Sequence, residues 1–214
     1  MASGVSVSSG RIRGDAPLAG YLDRGTIARV ADLLGSGGVA VLPTDTIYGF
    51  HCSASIPEAV ARIRDLKGRG AGEGFILLAA DAGMADSIVA RWPGSSRALL
   101  AEIWPAPLTA ILPARTELDP RLAPRGSVAV RVPAHRELRS LIRRLGGPVV
   151  STSVNISGRS PVKRIADARR LFPGLDAYIS RRGRQSVRAS TIVDFRFGTP
   201  RLVRAGAYPW PSDE

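Results

Sequence analysis

Short apolar runs separated by helical stretches limit what this chain can fold into. Val39 to Leu42, "FILLAA", "LTAIL", "SVAVRVP", "PVVSTS", "DAYIS", "STIVDF" and "RLVRA" are all of strand length. None approaches the roughly 20 apolar residues that a membrane span needs. Between them, apolar residues recur at helical spacing over Thr26 to Leu34, "PEAVARIRDLK", Met84 to Arg91, Ser95 to Ile103, His135 to Leu145 and Ile165 to Leu171. "GSGG" at 35 to 38 stops the first of these helices, and Pro57 suits the first turn of the second. Such interleaving predicts an α/β fold, a twisted mixed β-sheet flanked by helices. With 214 residues, 44% of them apolar, and no internal repeat or long linker, a single domain over 21–208 is expected. The opening "MASGVSVSSGRIRGD" lacks an apolar h-region, so residues 1–20 read as a flexible N-terminal tail and the protein as cytoplasmic, with no membrane association.

The net charge of +12 invites a nucleic-acid partner, but the arginines are spread along the chain, and aromatics at 6% leave few platforms for stacking bases. Of 30 basic residues only Lys67 and Lys163 are lysine, so a retained lysine suggests a need for a compact ammonium. Cys52, the single cysteine, reads as buried and structural; as a nucleophile it would have only His51 beside it in sequence. His51 and His135 occur without cysteines or carboxylates at metal-ligand spacing, so no protein metal site is expected.

Polar residues collect where predicted strands end. "STSVNISG" at 151–158 follows an apolar run with Ser151, Thr152, Ser153, Asn155 and Ser157. It is either a turn that satisfies its own backbone or a set of donors and acceptors delivered to a ligand. "KGRGAGEG" at 67–74 is either a mobile surface loop or a flexible cradle bringing backbone N–H groups, Lys67 and Arg69 to phosphates. "LPTDTIYGF" crowds Thr44, Asp45, Thr46 and Tyr48; "SVAVRVP" sets Ser127 and Arg131 on one strand face; "STIVD" and "LVRAG" add Ser190, Thr191 and Arg204. There is no Ser-His-Asp order, no carboxylate pair and no G-x-x-x-x-G-K-[ST]. Hydroxyls, amides and cations without an evident acid or base suit a site that grips phosphate and carboxylate groups and works by positioning and charge neutralisation.

"PTDTIYGF", "KGR", "WPAPLTAIL", "SVAVRVPAH", "STSVNISGRSP", "STIVDF" and "LVRAGA" resemble, in order, the motif series of the threonylcarbamoyl-AMP synthase family, the YrdC/Sua5 domain, over roughly Thr26 to Ala207. The resemblance implies a short, single-domain member with a YrdC-like fold. It implies synthesis of threonylcarbamoyl-AMP and pyrophosphate from L-threonine, bicarbonate or CO2, and ATP with Mg2+, for the t6A modification of adenosine 37 in tRNA. Further partners would be tRNA and the t6A transferase proteins. Position by position, Thr44, Arg131, Ser151 and Ser190 would contact threonine. Lys67, Arg69, Ser127, Ser153, Asn155 and Arg204 would meet ATP, with Lys67, Arg69, Ser153 and Asn155 closest to the chemistry. The chain departs from the family pattern at Glu73-Gly74-Phe75, where Asn-Pro-Leu is usual, at Leu78 in place of a histidine, and at Ala106 in place of glycine. Two alternatives stand beside this expectation: a YrdC-like RNA-binding protein of weak activity, and a related carbamoyl-transfer enzyme.

Overall fold

The computed structural model describes residues 16–68, 74–156, 158–183 and 188–211. Ten strands form one mixed sheet: β1 (Leu18–Tyr21), β2 (Ala40–Leu42), β3 (Gly49–Ser53), β4 (Ile76–Leu78), β5 (Leu108–Pro113), β6 (Ser127–Arg131), β7 (Val149–Ser153), β8 (Ala177–Ser180), β9 (Thr191–Asp194) and β10 (Arg201–Arg204). Their order is β1-β8-β2-β3-β7-β4-β6-β5-β9-β10. β1/β8, β2/β8, β4/β6 and β5/β9 run parallel and the other neighbours antiparallel. The helices are α1 (Arg24–Gly35), α2 (Pro57–Lys67), α3 (Ala82–Asp86), α4 (Ser96–Ile103), α5 (Arg136–Leu145) and α6 (Ile165–Leu171).

Helices α1, α2 and α5 start on residues suited to a first turn or cap. Asp23 caps α1 by accepting from the Thr26 amide at 2.8 Å, His135 caps α5, and Pro57 opens α2. Three elements differ from the sequence-based expectation. Leu18 to Gly20, assigned to the tail from sequence, form most of β1 and pair with β8. Gly49–Ser53, which lacks a clean alternating pattern, is strand β3 at the centre of the sheet, buried throughout. The helix expected over Met84 to Arg91 is only the short α3, and Val89 instead bridges to Ala114.

One face of the sheet is packed along its length. Val39, Val41, Phe50, Cys52, Leu77, Ala110, Val130 and Val150 are buried there with Ala59, Val60 and Ile63 of α2, Leu100 of α4 and Ala168 of α6. The other face is covered only in part. There α1 and α5 bury Val30, Leu34, Leu138, Leu141 and Ile142 against Ala40, Leu42, Leu78, Val149 and Ile179. Because alternate residues share a face, Val149, Ser151 and Ser153 lie on this same side of β7, and Leu78 and Ile76 on the same side of β4. Val149 and Leu78 sit under the helices, whereas Ser151, Ser153 and Ile76 line an open cavity. The change from Val to Ser along β7 marks the edge of helix cover.

Candidate active site

The cavity holds about 410 Å³, within the usual range for a small-molecule site. Its floor is the uncovered part of the sheet: Gly49 from β3, Ile76 from β4, Ile111 from β5, Ala129 from β6 and Ile192 from β9. Of the ten residues expected from sequence to bind substrate, seven line it: Thr44, Ser127, Arg131, Ser151, Ser153, Ser190 and Arg204. Arg69 lies outside the described residues, as does Glu73.

Arg131 is the best-defined cation in the cavity. It is buried, its Nη2 is ion-paired with Asp45 Oδ1, and its Nη1 donates to Thr46 Oγ1 at 3.3 Å. Asp45 Oδ2 also accepts from the Ala134 amide at 3.0 Å, so the carboxylate is held from two sides. Burial lowers the Arg131 pKa, opposed by the Asp45 charge. Arg131 Nε is buried with no hydrogen-bond partner among the described residues. A buried guanidinium N–H without an acceptor is costly, and the guanidinium as a whole stands in the cavity wall, where its remaining Nη hydrogens suit an anion.

Thr44 plays a different part from the one its sequence position suggests. Its hydroxyl donates to the Ile47 carbonyl at 2.8 Å, accepts from the Thr46 amide at 3.0 Å and lies 2.9 Å from Thr46 Oγ1. A carbonyl can only accept, so the one Thr44 proton is committed to it, and the Thr46 hydroxyl must donate to Thr44. The chain of bonds runs from Arg131 through Thr46 and Thr44 to Ile47. Thr44 therefore shapes the wall and anchors the Arg131 support, with its own oxygen saturated.

Ser190 and Arg204 face the cavity together. Arg204 Nη2 donates to the Ser190 carbonyl at 2.7 Å and approaches Ser190 Oγ at 3.4 Å, while Thr109 Oγ1 lies 2.9 Å from Ser190 Oγ. Burial, with a smaller repulsion from Arg131, lowers the Arg204 pKa. Gly206 lets this corner close: a Cβ there would stand 2.4 Å from the Ala189 carbonyl oxygen and 2.5 Å from Ser190 C. Thr191, grouped with these residues in the sequence reading, is instead buried and donates to the Tyr208 carbonyl at 2.6 Å. Ser127 donates to the Pro124 carbonyl at 3.2 Å, which leaves its lone pairs for a ligand.

Lys67 is not in a flexible loop. It is the last residue of α2, capped by left-handed Gly68, and it is buried. Its ammonium donates to Ser153 O at 2.9 Å, Asn155 O at 3.1 Å and Asn155 Oδ1 at 2.5 Å. Ser153 Oγ donates to the same Oδ1 at 2.6 Å. Lys67 and Asn155 thus stand behind Ser153 and fix the turn after β7, outside the cavity lining.

His51 and Cys52 separate onto opposite sides of β3. Cys52 is fully buried in the packed face, where burial pushes its thiol up to about 12, so it is the buried structural residue expected from sequence and not a nucleophile. His51 lies fully buried behind Ser151, with Nδ1 2.8 Å from the Gly49 carbonyl and Nε2 3.2 Å from Ser151 Oγ. Sequence alone weighs it as a partner for Cys52 and, with His135, as a metal ligand, and not as a support for Ser151. The signal that could have placed it is its two-residue spacing from Gly49, which puts both on the cavity face.

Known proteins resemble this chain over most of its length. The Sua5/YciO/YrdC family model, described as "Telomere recombination", matches residues 32–206. The chain belongs to the Sua5/YciO/YrdC family. It is 38% identical over 170 residues to the threonylcarbamoyl-AMP synthase of Thiobacillus denitrificans, spanning 79% of this chain and 89% of that one. To the enzyme of the same name from Nitrosococcus oceani it is 40% identical over 150 residues, spanning 70% and 81%. Among solved structures it resembles P. abyssi Sua5 complexed with L-threonine, at a TM-score of 0.82 and 28% identity, over 89% of this chain and 58% of that longer one. E. coli YciO shares the fold, with a TM-score of 0.80 at 24% identity over 90% and 96% of the two chains.

Departures from the Sua5/YciO/YrdC motif pattern can now be located. Leu78 is buried under α1 and α5, so a leucine there suits the helix-covered part of the face and lies outside the cavity lining. Gly74 does line the cavity, where a Cβ would come within 3.1 Å of Pro124 Cγ. Ala106 is buried and donates its amide to the Val132 carbonyl at 3.0 Å, tying the segment before β5 to the end of the Arg131 strand.

Proposed function

We propose that this protein is an L-threonylcarbamoyl-AMP synthase that supplies threonylcarbamoyl-AMP for the t6A modification of tRNA. The observation that carries the reading is Arg131: a guanidinium fixed by Asp45 and Thr46 and lining the cavity in a wall of hydroxyls. That is a receptor for a carboxylate on a small polar molecule. A Sua5 solved with L-threonine and relatives named for this activity support the same assignment.

In this reading Arg131 holds the threonine carboxylate, with Ser151 and Ser190 beside the rest of the amino acid and Thr44 holding the wall. Arg204 meets the ATP phosphates, and Ser127 and Ser153 join it by turning their protons from the Pro124 carbonyl and Asn155 Oδ1 to phosphate oxygens; Lys67 and Asn155 set the position of Ser153, and Arg69 belongs with them by family resemblance. Threonine's neutral amine adds to CO2 and loses a proton to solvent, giving a carbamate whose oxygen attacks the α-phosphorus and displaces pyrophosphate. The carbamate is already anionic, so this step calls for alignment and charge neutralisation, which guanidinium and hydroxyl groups supply. The described lining contains no carboxylate and, among the described residues, no cluster of three acidic, histidine or cysteine side chains forms. These donors do not fit a resident Mg2+, so the ion is treated as part of the nucleotide substrate.

The working unit is the domain at 21–208 together with the rest of β1. A basic surface that includes exposed Arg159, Lys163, Arg164, Arg169 and Arg170 supports tRNA as a further partner, bound through phosphates in a salt-dependent way, with the t6A transferase proteins taking up the product. No described helix is long and apolar enough to cross a membrane, and we place the reaction in the cytoplasm. The test is to incubate the protein with ATP, threonine and 13C-bicarbonate and to look by mass spectrometry for threonylcarbamoyl-AMP one mass unit heavier than with ordinary bicarbonate. Absence of that species from folded, ATP-binding protein would overturn the proposal.

A further inference from the structure

We infer that His51 is a positioning residue that fixes the direction of the Ser151 hydroxyl, so that Ser151 meets the cavity only as a hydrogen-bond acceptor and selects a ligand that brings an N–H or O–H donor. The inference deepens the threonine reading and rests on it for the identity of the ligand.

The geometry leaves one assignment. His51 Nδ1 is 2.8 Å from the Gly49 carbonyl oxygen, which can only accept, so Nδ1 carries the proton. Burial lowers the His51 pKa to about 3, with Arg131 and His135 opposing a further charge, so the ring is neutral and Nε2 has a bare lone pair. Ser151 Oγ lies 3.2 Å from Nε2 and must donate to it. A serine hydroxyl has one proton; once that is committed, lone pairs are all it offers to the cavity that it lines. Gly49 completes the device. A Cβ there would stand 2.7 Å from His51 Cε1 and 3.1 Å from Ser151 Oγ, so the imidazole and hydroxyl can meet only because position 49, two residues before His51 on β3, carries no side chain.

An acceptor directed in this way gives selectivity. A buried site that must be met by a donor discriminates far more strongly against an analogue lacking it than an apolar pocket does against a missing methyl group. Threonine and valine have nearly the same shape and differ in that donor. If Ser151 accepts from the side-chain hydroxyl, His51 underlies the choice of threonine over valine. If it accepts from nitrogen, His51 strengthens both equally.

The test joins a spectroscopic and a binding readout. The chain has two histidines, so 15N spectra of the labelled protein at pH 7 can be assigned with a His135→Asn variant, which retains a good helix cap. The expected result is a protonated Nδ1 and bare Nε2 in His51, with the Nε2 resonance moving in Ser151→Ala. A protonated Nε2, or an Nε2 indifferent to Ser151→Ala, would overturn the inference whether or not the protein binds threonine. Calorimetry then gives Kd for threonine and valine. His51→Asn can keep the bond to Gly49 while losing the one to Ser151, and should weaken threonine binding about tenfold. His51→Gln, whose amide oxygen can reach Ser151, should recover most of it. In a Ser151→Ala background His51→Asn should have no further effect, because it acts through that hydroxyl. Equal losses in both backgrounds would make His51 merely structural. Loss confined to threonine identifies the hydroxyl as the donor, and equal loss for valine identifies the nitrogen. Failure of the wild type to bind either amino acid, with the tautomer as stated, would refute the threonine reading instead.

Discussion

Arg131 and Asp45, 86 residues apart in sequence, form an ion pair whose side chains are only 5% and 10% exposed. The pair closes the loop after β2 onto the end of β6 and aims a guanidinium at the cavity. Removing one partner of a buried pair typically costs about 3–5 kcal/mol, because the other charge is left without compensation. Asp45→Asn should therefore lower stability on that scale in chemical denaturation and raise the threonine KM. Arg131→Lys should keep the fold more nearly intact, yet raise the threonine KM by roughly tenfold or more, since an ammonium cannot make a bidentate carboxylate contact. An unchanged threonine KM in Arg131→Lys would remove Arg131 from the site.

Lys67 gives a second prediction, in which structure changes what sequence suggested. A lysine in a flexible glycine-rich loop could be replaced with little loss of stability. The buried Lys67 instead satisfies Ser153 O, Asn155 O and Asn155 Oδ1. Lys67→Met should leave these acceptors short of a donor and cost about 1–3 kcal/mol in a melting experiment. By displacing Ser153 and removing positive charge behind the phosphates, it should also lower kcat by on the order of 10²-fold. A variant with full stability and near wild-type turnover would refute both roles.

The difference between these two readings of Lys67 shows where sequence information stopped. Alternating apolar and helical stretches were enough to place α1, α2, α4, α5, α6 and most strands, because those elements bury one face in the usual periodic way. The hydroxyls of "STSVNISG" and the Ser127/Arg131 pair were legible because strand alternation alone puts them on a shared face. β3 was not, since it is buried on both sides and includes Gly49 and His51, residues with low strand signal. Nor were the Arg131–Asp45 pair, the Lys67–Asn155 contact or the Ser151–His51 contact, which join positions 86, 88 and 100 residues apart. Such long-range pairing leaves no mark in local composition.

Glycine substitutions offer a third prediction. Gly206→Ala would force a Cβ against backbone atoms of Ala189 and Ser190, which cannot yield as a side-chain tip can. It should shift Ser190 and Arg204, raising the KM for ATP and threonine together while leaving the remote α1–α5 side of the sheet intact. Steady-state kinetics beside hydrogen exchange of α1 amides would check this, and unaltered KM values would contradict the placing of that corner in the site.

The pH dependence of stability follows from His51. Its pKa falls from the ordinary 6.5 to about 3 on folding, so between those values the unfolded chain binds a proton that the folded chain refuses. Stability should thus decline as pH falls through that window. His135, also lowered mainly by burial, acts in the same direction. Denaturation at pH 7 and pH 5 should show a smaller acid loss in His51→Asn than in wild type. An equal loss would mean that His51 titrates normally.

The rate of pyrophosphate release from ATP in the presence of bicarbonate, measured with threonine, serine, valine and no amino acid, tests whether this chain is a threonine-dependent synthase. Release should require bicarbonate, be fastest with threonine, and fall sharply with valine or without an amino acid. Release at the same low rate under all four conditions, from protein that is folded and binds ATP, would contradict that assignment.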